Sequence, residues 1–240
     1  MRKITLLFLF VGTLVGQRLG YAEQIVAQAQ TPEEFDLYLE FHETLDAEAR
    51  HRAALRFERV YPESQLLVYV YESELEYARS CNFYEAALSA GEKALRLAPN
   101  NIKVLVALAE ILPNGTQDAA VLSKAAEHAR RVLEQLKDLQ LAPEASLQEC
   151  ENLRSFMGSR AHAALGYVAG KRGQLAVAIE EFNSAITLSP KPNGSQLFRL
   201  GKLYQASQRQ REAVEMFLKA AKAGPAVITR LAEAELGMNK

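Results

Sequence analysis

The sequence has no tryptophan and only two cysteines, four histidines and four methionines in 240 residues. Each shortage removes a class of function. Cys81 and Cys150 allow a single pairing and cannot make a disulfide framework or a thiolate metal site, so each reads as a small apolar filler. His42, His51, His128 and His162 lie far apart, without carboxylate or cysteine partners at ligand spacing, and each reads as an ordinary helix residue. No metal and no cofactor are expected. HExxH, GxSxG, Walker, CxxC and GxGxxG patterns are all missing. No stretch is left over for a catalytic domain, so no catalytic residues are assigned and the chain is read as a non-enzyme. There is no Lys/Arg run, and the net charge is −1. Without Arg2, Lys3 and Arg18 the balance becomes 25 basic against 29 acidic residues, or −4, which argues against nucleic acid as a partner. Runs of alternating β-branched residues are also lacking, so no sheet is expected.

What remains is rich in alanine and leucine, with prolines standing between helical stretches, the composition of an all-α chain. Residues 1–22 read as a secretory signal peptide. Arg2-Lys3 open it, an apolar run covers residues 4–15, and Gly20-Tyr21-Ala22 offers small residues for cleavage. The run falls short of the roughly 20 apolar residues a membrane span needs. An uncleaved anchor and a cut after Ala29 are the other readings. No second membrane-length segment follows, so a periplasmic or secreted protein is expected, with no membrane span after cleavage.

One pattern is then written twice, 35 residues apart. Leu165-Gly166 maps onto Leu200-Gly201, Ala178 onto Ala213, Phe182 onto Phe217, Ala185 onto Ala220 and Pro190 onto Pro225. This pattern resembles the tetratricopeptide repeat. The resemblance implies a right-handed α-solenoid of helix hairpins whose usual work is holding other proteins, and it suggests an exported bacterial member. Each copy is too short to bury a core alone and must stack on its neighbours. Gly166 and Gly201 would let the second helix of a pair approach the first, with Phe182 and Phe217 filling the space beside them.

Read in order, residues 23–30 form a flexible lead and 31–63 a degenerate N-terminal helix pair. Thr31 and Glu34 are expected to make a capping box there, with Pro32 at the first helical position and Asp46 capping the second helix. Repeat-like units follow at 64–99, 101–141, 144–190 and 194–225, with Ser64 capping the first, and a capping helix and tail occupy 226–240. Asn82 and Pro113-Asn114-Gly115-Thr116 mark turns, and the acceptor-like triplets at Asn114 and Asn193 mark loops. Pro99 and Pro190 lie 91 residues apart, about 21 more than two repeats require. The surplus predicts one elongated antiparallel helix pair, with helices over 117–141 and 144–172.

In a stacked-hairpin solenoid the first helix of each pair lines the concave side. The partner-binding residues expected there are Tyr69, Glu72, Glu76 and Arg79, then Lys103 and Glu110, then Arg160, Tyr167 and Lys171, and finally Phe198, Lys202 and Gln205. Aromatics mixed with both signs of charge suit an extended peptide or a partner helix. The lysine and asparagine set with which some family members clamp a chaperone's carboxylate end is lacking, so that activity is not carried over. The alternative is a structural or assembly factor of a bacterial envelope acting through self-association.

Overall fold

Hairpins of about thirty residues cannot shelter their own apolar faces, so the fold is decided by how each pair lies on the next. The computed structural model describes residues 28–139, 146–189, 191 and 193–237. The signal-peptide reading, most of the lead and the place of Pro190 lie outside the described residues. Among the described residues there are eleven helices and no strand. They are α1 (Pro32–Glu43), α2 (Ala47–Val60), α3 (Leu67–Ser80), α4 (Tyr84–Leu97), α5 (Ile102–Ile111), α6 (Ala119–Lys137), α7 (Leu147–Lys171), α8 (Leu175–Leu188), α9 (Gly194–Ala206), α10 (Gln210–Ala223) and α11 (Ala226–Glu235).

Each helix packs on its successor. The odd-numbered helices also touch one another, α1 on α3, α3 on α5, α5 on α7 and α9 on α11, and Arg199 of α9 lies over the Tyr167 ring of α7, so they form one row. The core runs along the array in three clusters. Helix α5 joins the first two: Val104, Ala107, Leu108 and Ile111 face one side, while Ile102, Leu105, Val106 and Ala109 face the other. A helix apolar all round is one that is covered all round, and its sequence IKVLVALAEI has that character.

The expected repeat contacts are present. Ala178, Ala185, Ala213 and Ala220 are fully buried, and Phe182 and Phe217 nearly so. A Cβ on Gly166 would lie 2.8 Å from the Phe182 ring, and one on Gly201 would lie 2.6 Å from the Phe217 ring. Three turns repeat as well. Asn82, Gly173 and Gln208 take left-handed φ of 60°, 72° and 59°. After each, an N–H reaches back to the helix end, from Phe83 to the Ala78 carbonyl, Gln174 to Ala169 and Arg209 to Tyr204, at 2.8 to 3.0 Å. This is the Schellman closure, and it satisfies carbonyls that the helix end would leave unpaired.

Several local expectations need correction. The Thr31 hydroxyl does accept from the Glu34 N–H at 3.1 Å, but Glu34 does not close the box. Its carboxylate instead accepts from the Gln30 N–H at 2.5 Å and from the Ser64 hydroxyl, and it is buried. Ser64 also ties the start of α3 to α1, while its Oγ accepts from the Leu66 N–H at 3.0 Å, the expected cap on the turn that leads into α3 at Leu67. A full capping box stands at Ser146 and Glu149, where no cap was expected, because α7 starts at Leu147 and not at 144.

Helices α6 and α7 have 19 and 25 residues, whereas the others have 10 to 14. They run in opposite directions. Arg154, early in α7, donates to the carbonyls of Leu136 and Leu139 at the end of α6, at 3.2 and 2.8 Å. At the other end Lys171 reaches the Thr116 carbonyl at 2.8 Å, and Arg172 the Ser123 hydroxyl at 2.7 Å. Helix α6 ends at Lys137, short of the expected 141. Cys81 and Cys150 are free thiols.

Candidate partner-binding groove

The row of odd-numbered helices presents three cavities, and all twelve residues expected at the binding face belong to this row.

The first cavity, about 470 Å³, lies between α1, α3 and α5. Tyr69, Glu72, Glu76 and Lys103 line it, as expected, but so do Tyr38, His42 and Arg50 from the N-terminal pair. Its lining carries both signs of charge. The Glu72 carboxylate accepts from the Asn101 amide, and burial raises its pKa. Burial likewise lowers the pKa of Lys103, against the pull of Glu72 and Glu76. Burial, with the nearby Tyr69 and Glu72 charges, pushes the Tyr38 phenol up to about 12. His42, packed edge-on to Tyr38 and Phe41, is pushed down to about 4 by burial and by Arg50. Arg50 itself is buried, donates to the carbonyls of Phe41, His42 and Thr44, and lies 4.7 Å over the Tyr77 ring.

At the middle of the row four of the expected residues pair with one another. Arg160 grips Glu110 through Nε at 2.8 Å and Nη2 at 2.6 Å. Arg79 joins Glu110 at 3.1 Å and Glu76 at 2.6 Å. Burial works against the Arg160 charge, but the hydrogen bonds and charge of Glu110 more than offset it, and Arg160 holds its proton above the usual range. These side chains couple α3, α5 and α7 and leave little free charge at the centre. The second cavity, about 390 Å³, opens beside them between Arg79, Glu110, Tyr167 and Arg199.

The third cavity, about 530 Å³, lies between α7, α8, α9 and α11. Tyr167, Lys171, Phe198 and Lys202 line it, while Gln205 stands just outside, bonded to Lys202 and Glu235. Lys202 pairs with Glu235 at 2.9 Å. The Tyr167 ring carries Arg199 at 4.1 Å and Lys171 at 5.4 Å from its centroid.

Sequence reasoning missed Tyr38, His42, Arg50, Arg199, Ile228, Leu231 and Glu235 at this face. Arg199 had a usable signal, since it directly precedes the Leu200-Gly201 mark; Glu235 had none. Two histidines meet carboxylates distant in sequence, His51 with Glu74 at 2.9 Å and His162 with Glu181 at 2.7 Å. Among the described residues no group of three or more His, Cys, Asp or Glu side chains is arranged to hold a metal ion. No helix among the described residues is long and apolar enough to cross a membrane.

The hairpin array, its Gly–Phe contacts and the row of cavities define an α-helical repeat protein. A family profile for the tetratricopeptide repeat matches residues 159–192 and 197–226. The match is confined to the C-terminal hairpins, which are tetratricopeptide-like repeats. Solved structures of the same fold include MamA 41-end from Desulfovibrio magneticus RS-1, at a TM-score of 0.60 and 17% identity over 81% of this chain and 97% of that one. A thermophilic TPR protein of Thermus thermophilus, TTC0263, matches at 0.50 and 15%, over 85% and 97% of the two chains. Yeast Tom70 matches at 0.54 and 15%, over 84% of this chain but 38% of that one. A search of curated proteins finds no match.

Proposed function

We propose that this chain is an exported scaffold that holds an extended segment of a protein partner along the row formed by α1, α3, α5, α7, α9 and α11, without catalysing a reaction. The observation that carries the reading is the continuity of the row. Its second and third cavities share Tyr167, Phe182, Ser195 and Arg199, so one ligand could occupy both without crossing a ridge of backbone. Aromatic rings at Tyr69, Tyr167 and Phe198 supply contact area, and amides at Asn114, Asn193 and Gln196 suit a peptide backbone. Export rests on the N-terminal pattern of Arg2-Lys3, an apolar run and Gly20-Tyr21-Ala22.

Site-specific photocrosslinking tests the reading. A crosslinking amino acid at Tyr69 or Tyr167 should capture the same partner, whereas one at the exposed Lys219 of α10 should not. Equal capture from Lys219 would remove the groove as the binding surface. N-terminal sequencing of the fractionated protein should find a chain starting just after Ala22.

A second reading, envelope assembly through self-association, is favoured by one feature. Leu147 and Phe156 in the first half of α7 are 85% and 53% exposed. Sedimentation of the wild type against Phe156→Ser separates the two: a concentration-dependent oligomer lost in the variant supports assembly.

A further inference from the structure

The groove is unevenly charged along its length, and the third cavity differs from the first in kind. In the first cavity Arg50 and Lys103 share the lining with Glu72 and Glu76, whereas no carboxylate lines the third. In the third cavity Lys171 and Arg199 sit on the Tyr167 ring, and neither has a carboxylate at ion-pair distance among the described residues. Lys202 has Glu235 as its counter-charge. Two cations are thus left uncompensated at the mouth of one cavity. The floor beneath them is apolar, made by Phe182, Phe198, Leu203, Ile228 and Leu231 over the bare backbone of Gly166 and Gly170. Its volume, about 530 Å³, falls in the range of roughly 300–1,000 Å³ that encloses ligands in other proteins. Leu231 is 45% exposed at the rim, an apolar side chain left facing solvent. In the adjoining cavity the Gln196 Oε1 atom is buried without a hydrogen-bond donor, a gap that a peptide N–H would fill.

Resting on the scaffold reading above, we infer that the α7–α9–α11 end of the groove takes an internal partner segment in which a bulky apolar side chain is flanked by aspartates or glutamates. The apolar side chain fills the floor. The flanking carboxylates pair with Arg199 and Lys171, which are already held in place by Tyr167 and so lose little freedom on binding. A basic segment would set like charge against like at the same rim.

Fluorescence anisotropy with three short peptides, acetylated and amidated so that no terminal charge remains, tests this. Each carries a central leucine, flanked by acidic, basic or uncharged polar residues. The acidic probe should bind at least about tenfold more tightly than the basic one at low salt, and the gap should narrow as salt rises. Arg199→Glu with Lys171→Glu should reverse the order, and Leu231→Ser should weaken the acidic probe. Lys219→Glu, on the exposed face of α10 outside the groove, should leave it unchanged. Charge-blind binding, indifference to the Arg199 and Lys171 reversal, or equal sensitivity to Lys219→Glu would overturn the inference. If the basic or uncharged probe binds best and competes with a partner crosslinked at Tyr167, the groove reading stands and this inference falls. If none of the three binds, both fall.

Discussion

Gly201 of α9 and Phe217 of α10 are in such close register that a Cβ on the glycine would stand 2.6 Å from the ring's Cε1. The same relation joins Gly166 of α7 to Phe182 of α8, at 2.8 Å from Cδ2. The aromatic ring lies where a side chain would otherwise be, and the two helices of each hairpin close over it. Phe217 is 1% exposed, so it has no room to swing aside.

Gly201→Ala is therefore expected to destabilise the fold although alanine is the better helix former. Forcing a methyl against a buried ring costs about 1–3 kcal/mol, and the propensity gain of about 1 kcal/mol offsets only part of it. Chemical denaturation should show a net loss of about 1 kcal/mol. In the Phe217→Leu background the same change should be neutral or stabilising, a coupling that a double-mutant cycle reads directly. Additive effects would mean that the close approach is not what the glycine provides.

That relation was legible in the sequence because it recurs, with Leu-Gly and a phenylalanine at one offset in both copies. Repetition exposes residues that hold the hairpin together, and the helices, their order and their inner row follow from it. Contacts made once leave no such trace. Glu110 and Arg160 are 50 residues apart, a separation set by the lengthened α6 and α7 and not by the 35-residue offset of the repeats. Glu235 reaches Lys202 from a terminal helix that belongs to no repeat. Ser64 accepts from the Leu66 N–H, as a serine before a helical run usually does, but nothing local shows that its hydroxyl also donates to the buried Glu34 carboxylate. Local rules name the groups that need partners; tertiary packing chooses the partners.

The three left-handed turns make a separate prediction. Gly173 meets this requirement without strain, whereas Gln208 holds φ at 59° with a side chain attached. The left-handed conformation costs a residue with a Cβ about 1–2 kcal/mol, while glycine adds an entropy cost of roughly 0.5–1 kcal/mol. Gln208→Gly should thus raise stability by about 0.5–1 kcal/mol. Gln208→Val should lower it more than any other change at this exposed site. The measurement is the urea midpoint of each variant, and a glycine variant weaker than wild type would refute the account.

His42 sets an acid limit on the N-terminal pair. Its Nε2 is buried without a partner, and burial together with Arg50 lowers its pKa from 6.5 to about 4. Between those two values the unfolded chain binds the proton and the folded chain does not. Stability is therefore full above about pH 6.5, falls as pH drops towards 4, and levels off below. Allowing for partial exposure of the ring, the loss is on the order of 1–3 kcal/mol. His128, also buried and lowered in pKa, by burial and then by Lys124 and Arg131, acts in the same direction. His42→Gln should flatten the fall between pH 7 and 5 in urea denaturation. An unchanged slope would show that His42 does not carry it.

Glu110 is the counter-charge on which the middle of the array depends. Two guanidinium groups converge on it, Arg160 with two hydrogen bonds and Arg79 with one, and the Arg160 side chain is only 17% exposed. Removing the carboxylate strands both cations, and a poorly hydrated arginine without a partner is costly. Glu110→Ala should lower stability by about 2–4 kcal/mol. Glu76→Ala, which removes a more exposed partner of Arg79, should cost less than about 1 kcal/mol. Glu110→Gln keeps the shape and one acceptor and should fall between them. Adding Arg160→Met to Glu110→Ala should restore much of the loss, because the apolar stem then packs where the stranded charge stood. If Glu110→Ala proves as mild as Glu76→Ala, the triad is a surface pairing and the joining of α3, α5 and α7 rests on their apolar contacts alone.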